Sequence, residues 1–136
     1  MRRDPRVVLM GEDVAEAGTP FKVAERPGRR VRQGPRHRHA DLRSGVYRPW
    51  RWARAMAGMR PVVDIMFGDF LTLIMDQVVN QAAKIHYMSG GKWKVPMVIR
   101  ATMGATRRSA AQHSQSLHAW PSHVPGLKVV DSLDAV

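Results

Sequence analysis

A chain of 136 residues with 44% hydrophobic content is long enough for one domain with a real core, too short for two, and too apolar for a disordered segment. It has no cysteine, which excludes a disulfide framework and thiol catalysis and fits a reducing, cytoplasmic setting. The formal charge of +11 would suggest a polyanionic partner, but residues 26–54 hold ten of the 22 Lys and Arg and only Asp41 among the acids, so the basicity belongs to one segment.

In chain order, RVVLMGEDV (6–14) is an apolar run closed by Gly and acids, the pattern of a buried parallel strand leading into a loop. RPVVDIM (60–66) predicts a second strand. FLTLIMDQVVNQAAKIHYM (70–88) places apolar residues at 70, 71, 74, 78, 82, 85 and 88, close to a 3.6 period, and predicts a helix stopped by SGG at 89–91. VPMVIRA (95–101) and GLKVV (126–130) predict a third and a fourth strand. Strands alternating with a long helix indicate an α/β fold with a parallel sheet. Asp64, Asp69 and Asp76 interrupt the best apolar stretch, so no run reaches the ~18 residues of a membrane span. The start of the chain lacks the sustained apolar region of a secretory signal.

Between the third and fourth strands lies GATRRSAAQHSQSLHAW (104–120), at the carboxyl end of a strand, the edge where open α/β sheets bind ligands. His113 is the residue there suited to chemistry, although composition alone favours a solvated or structurally bonded loop histidine. The methionines at 66, 75, 88, 97 and 103 predict core filler, since none pairs with His at ligand spacing. GDF (68–70) and SGG are too short for phosphate loops, and no dinucleotide glycine fingerprint occurs.

The stretches VVLMGEDVAEAGTPFKV, AGMRPVVDIMFGDF, DQVVNQAAKIHYMSGGKWKVPMVIR, GATRRSAAQHSQSLHAW and HVPGLKVV occur in consecutive order. Together they resemble the beta subunit of the thiamine-diphosphate-dependent first component of 2-oxoacid dehydrogenase complexes, of the pyruvate and acetoin type. The resemblance covers 5–25 and 56–130. It implies an incomplete pyrimidine-binding domain of the transketolase-like fold over 1–136, without the second domain of the family. It also implies pairing with an alpha subunit that holds the diphosphate and magnesium, in a two-plus-two heterotetramer. The implied reaction decarboxylates a 2-oxoacid, or cleaves acetoin, and passes the acyl group to the lipoyl arm of an acyltransferase component. By the same resemblance Phe70 lies beside the aminopyrimidine ring and His113 is the active-site histidine. Glu12 matches an acid of the polar tunnel between paired cofactors, and the backbone carbonyl of Met97 matches one that helps hold a structural potassium ion.

The resemblance breaks at 26–55. There the family carries a stretch like Val-Ile-Asp-Thr-Pro-Ile-Ser-Glu-Ala-Gly-Phe. RHRHADLRSGVY (36–47), back-translated with permitted codons and read one base later, spells that stretch in the right place. AERPGRRVRQGP (24–35) behaves likewise after one base is dropped near Arg26. Residues 26–55 are therefore expected to be out of frame, and 26–54 to be poorly packed. Ser44 then stands about where the family's ring-binding glutamate belongs, and a hydroxyl cannot serve as that proton acceptor. The chain is expected to be inactive by itself. The competing reading takes the Arg and Trp residues of 36–54 as a basic nucleic-acid-binding module acting on phosphates and bases.

Overall fold

Three of the apolar runs assemble into one parallel sheet. The computed structural model describes residues 3–11, 54–105 and 108–131. In it β1 (Val7–Gly11), β2 (Arg60–Phe67) and β3 (Val98–Thr102) lie side by side in the order β1-β2-β3. Val7 stands opposite Arg60 and Gly11 opposite Asp64, while Val62 stands opposite Val98 and Asp64 opposite Arg100. The central strand β2 buries Pro61, Val63, Asp64 and Ile65 in succession, which is why it lacks in–out alternation of polarity.

Parallel strands need a crossover of a dozen or more residues, and the helical run after β2 supplies it. A 3₁₀ turn (Gly68–Phe70) leads into α1 (Leu71–Asp76), then a π segment (Gln77–Ala82), then α2 (Ile85–Met88). Leu71, Ile74 and Val78 are buried with Val63, Ile65 and Leu117 in the core, and Met75, Met97, Met103 and Leu127 pack against it. The expected helix over 70–88 therefore forms, but it is not uniform. The Ala83 N–H donates to the Val78 carbonyl at 3.0 Å, five residues back. One extra residue in a turn rotates everything beyond it by about 100°. Met88, placed by simple periodicity on the apolar face, is accordingly 66% exposed.

Two of the expected strands differ from what forms. β3 begins at Val98, not at 95, because Pro96 has no N–H for a ladder and Met97 N–H folds back onto the Val95 carbonyl at 2.9 Å. GLKVV (126–130) forms no strand. Gly126 turns at φ +97° against the Ala83 carbonyl, so the chain passes over the helix end. Only Leu127 then reaches the core, while Val130 is 90% exposed. An apolar run reports burial, and pairing needs a neighbour in register.

Short α3 (Ala119–Ser122) follows the His113 segment. Ahead of β1, the Arg6 guanidinium donates to both oxygens of Asp4 at 3.0 and 2.9 Å, and the Arg6 backbone N–H donates at 2.9 Å. These bonds, the side-chain pair foremost, hold the Asp4 carboxyl down to about 2. Among the described residues no helix is long and apolar enough to cross a membrane. Glu12, Ser44 and residues 26–53 lie outside the described residues, and with them most of the expected off-frame segment and of the basic module.

Candidate active site

The end of β2 is built to turn. Asp64 pairs with Arg100 and Phe67 with Thr102, so Ile65 and Met66 together oppose one residue of β3. This bulge is fixed from both sides. The Asp64 carboxylate accepts the Met66 N–H at 3.0 Å, and the Thr102 hydroxyl donates to the Met66 carbonyl at 3.0 Å. Met66 adopts φ +64°, a left-handed conformation uncommon outside glycine. Bulges of this kind re-aim the side chains that follow, and here those are Phe67 and, one 3₁₀ turn later, Phe70.

His113 meets them from the other loop. Its ring centroid lies 4.4 Å from Phe67 at an interplanar angle of 67°, and 5.5 Å from Phe70 at 75°. The two phenyl rings are 5.9 Å apart and nearly perpendicular. Each pair adopts the edge-to-face arrangement favoured by the ring quadrupoles. All three side chains are half-buried, so the cluster is packed on one side and open on the other. Among the described residues the imidazole makes ring contacts but no side-chain hydrogen bond. Both nitrogens are therefore available to a ligand, one as donor and one as acceptor in the neutral ring.

The GDF turn and the AQHSQ loop are joined beneath these rings. Asp69 is 5% exposed, and its Oδ1 accepts the Gln115 backbone N–H at 3.2 Å and the Gln115 side-chain amide at 2.8 Å. The Gln115 carbonyl in turn accepts the Gly104 N–H at 3.1 Å, which ties in the turn after β3. A half-buried aromatic cluster that includes an imidazole suits a planar heteroaromatic ring. The phenyl groups would supply the face and the imidazole a hydrogen bond or a proton.

Of the residues singled out from sequence, Phe70 and His113 are brought together. Met97 is not among them. It precedes β3 at the amino-terminal edge of the sheet, roughly 15–20 Å along the strand direction from Phe67 at ~3.3 Å per residue. Glu12 lies outside the described residues. Among the described residues no three His, Cys, Asp or Glu side chains cluster as a metal site. Sequence reasoning missed Phe67, Asp69 and Gln115. Two carried a signal: Asp69 is an acid inside an apolar stretch, and Gln115 shares the AQHSQ stretch with His113.

Comparison with known proteins identifies the family of the fold. The family described as transketolase, pyrimidine binding domain, matches residues 1–136. The beta subunit of acetoin:2,6-dichlorophenolindophenol oxidoreductase from Cupriavidus necator is 43% identical over 138 residues, taking in 96% of this chain and 41% of that protein. The corresponding subunit from Bacillus subtilis is 40% identical over 141 residues, again 96% of this chain and 41% of its own length. The pyruvate dehydrogenase E1 component subunit beta from Rhizobium meliloti is 44% identical over 135 residues, 96% of this chain and 28% of that protein. The chain thus spans about two fifths or less of these relatives.

Proposed function

Because the chain belongs to the transketolase pyrimidine-binding family, we propose that its Phe67–Phe70–His113 cluster holds the aminopyrimidine ring of thiamine diphosphate. The chain would do so as part of the beta subunit of a pyruvate- or acetoin-type dehydrogenase. The observation that carries this is the meeting of Phe70 and His113 at the carboxyl edge of the sheet, where α/β folds take ligands. When bound, the cofactor supplies the centre that stabilises a carbanion; the protein supplies orientation and electrostatics. Phe70 and Phe67 present an apolar face to the ring and exclude water from it. His113 holds a proton next to the reacting carbonyl of the 2-oxoacid or acetoin, in reach as donor or acceptor.

Around this centre the remaining assignments follow the family. An alpha subunit grips the diphosphate and magnesium in a heterotetramer, and an acyltransferase component receives the acyl group on its lipoyl arm. Glu12 belongs to the polar tunnel between cofactors. The Met97 carbonyl, a hard oxygen donor, helps hold potassium. The enzyme works in the cytoplasm.

Residues 26–55 are an out-of-frame stretch that replaces family sequence. The local charge excess falls in this segment, and the family's stretch is recovered from it when the back-translated codons are read one base later. The chain consequently lacks the glutamate that hydrogen-bonds the ring, and a positioned acid–base group of that kind contributes typically ~10²–10⁴-fold. Mixed with a compatible alpha subunit, thiamine diphosphate, magnesium and pyruvate, the chain is expected to show no turnover. A full-length subunit with the reading frame restored over 26–55 is expected to recover it. Appreciable decarboxylation by the 136-residue chain would show that the segment around Ser44 is not a defect.

A further inference from the structure

The turn that carries His113 is short. It is a single 3₁₀ turn (Ala111–His113) closed by one long bond, His113 N–H to the Ala110 carbonyl at 3.4 Å. Two residues just before it are in left-handed conformations without being glycine, Arg108 at φ +48° and Ala110 at φ +60°, ψ −173°. The second of these lies in a region that glycine alone adopts freely, and such a backbone persists only where its surroundings over-determine it.

One over-determining contact is Asp69. Its carboxylate is buried, its Oδ1 accepts both the backbone and the side-chain N–H of Gln115, and its Oδ2 has no partner among the described residues. This pair of hydrogen bonds grips the chain two residues past His113. Asp69 also directly precedes Phe70 in the same 3₁₀ turn. One side chain therefore clamps the two loops whose rings meet.

We infer that Asp69 is a positioning residue which, by holding Gln115, fixes His113 against Phe67 and Phe70 and so sets the shape that the cluster offers to a ligand; its link to cofactor binding rests on the aminopyrimidine reading above. Asp69 touches no reacting atom; it acts through the loop.

The test uses the full chain, isotopically labelled, and reads the ring protons of His113 by NMR. Phenyl rings 4.4 and 5.5 Å away displace those protons from the values of an exposed histidine such as His118. In Asp69→Ala the displacement is expected to fall by more than half and Gln115 amide exchange to accelerate. Asp69→Asn keeps an acceptor at Oδ1 and is expected to retain the displacement. Gln115→Met removes the side-chain bond alone, at a solvent-facing position, and is expected to give an intermediate loss. The methyl signals of Val63 and Ile74 report whether the core is intact. Should Asp69→Ala unfold, Gln115→Met decides the question. Unchanged His113 shifts in the variants that keep their core would overturn the inference. Thiamine diphosphate is then added, and its affinity is expected to weaken about tenfold in Asp69→Ala. Absence of any shift at Phe70 or His113 on adding thiamine diphosphate to the wild-type chain would overturn the aminopyrimidine reading. The clamp would still be judged by the ligand-free shifts.

Discussion

Replacing Gly126 by alanine tests how the segment after α3 is seated. Two costs add at this position. The backbone has φ +97°, where a side chain is strained by about 1–2 kcal/mol. An added Cβ would also stand 2.5 Å from the Ala83 carbonyl oxygen and 3.3 Å from its carbon. That neighbour is backbone, at the end of the π segment, and cannot swing aside as a side-chain tip can. Relief requires moving the turn, which draws Leu127 away from the core. The combined destabilisation should be about 2–4 kcal/mol, a large share of the 5–15 kcal/mol that holds a typical domain. Gly58→Ala is the matched control, since it has nearly the same φ (+92°) but nothing within 4 Å of its Cβ. It should cost about 1–2 kcal/mol, through strain alone. Urea unfolding separates the two. With a slope of roughly 1–3 kcal/mol per molar, the Gly126 variant should show the clearly lower midpoint. Equal midpoints would refute the close approach to Ala83.

Ala110→Gly is expected to stabilise the chain by about 1 kcal/mol by releasing strain at an exposed position, and a thermal midpoint that does not rise would count against the strain. Ile74→Ala should cost about 2–5 kcal/mol, because Ile74 is buried in the core cluster; a loss under about 1 kcal/mol in urea unfolding would contradict that placement. The Asp4 carboxyl should titrate at about 2, against an ordinary 3.8, and return towards 3.8 in Arg6→Ala. Since the folded value is the depressed one, the pair favours the folded state above about pH 3.8 and ceases to do so as pH falls through about 2. Carboxyl carbon NMR reads both values, and a wild-type midpoint near 3.8 would be the contrary result.

How much of this was legible depends on which force writes the signal. Parallel strands leave unbroken apolar runs, so Val7–Gly11 and Arg60–Phe67 could be found with little error. Helical periodicity located the run after Phe70, but the π segment is made by backbone bonds, Ala83 to Val78 at its end among them, that no side-chain period encodes. The apolarity of 126–130 was real for Leu127 and misleading for the rest, since strand pairing depends on neighbours elsewhere in the chain. At the site, His113 stood out through its motif. Phe67 lies one residue past the expected strand 60–66 and carries no chemical signal of its own; the bulge at Ile65–Met66 precedes it where it meets the histidine. Asp69 was read as an interruption of an apolar run. Its partner Gln115, 46 residues away, satisfies one of the two buried carboxylate oxygens.

The most direct test of the central claim is to titrate thiamine diphosphate into the labelled 136-residue chain while following the ring signals of Phe67, Phe70 and His113. The account predicts saturable changes at all three rings at millimolar cofactor. It further predicts that Phe70→Ala weakens binding about tenfold, the scale of one lost aromatic contact. Saturable binding that leaves these rings unmoved, or no binding at any concentration reached, would contradict the assignment of this cluster as the aminopyrimidine site.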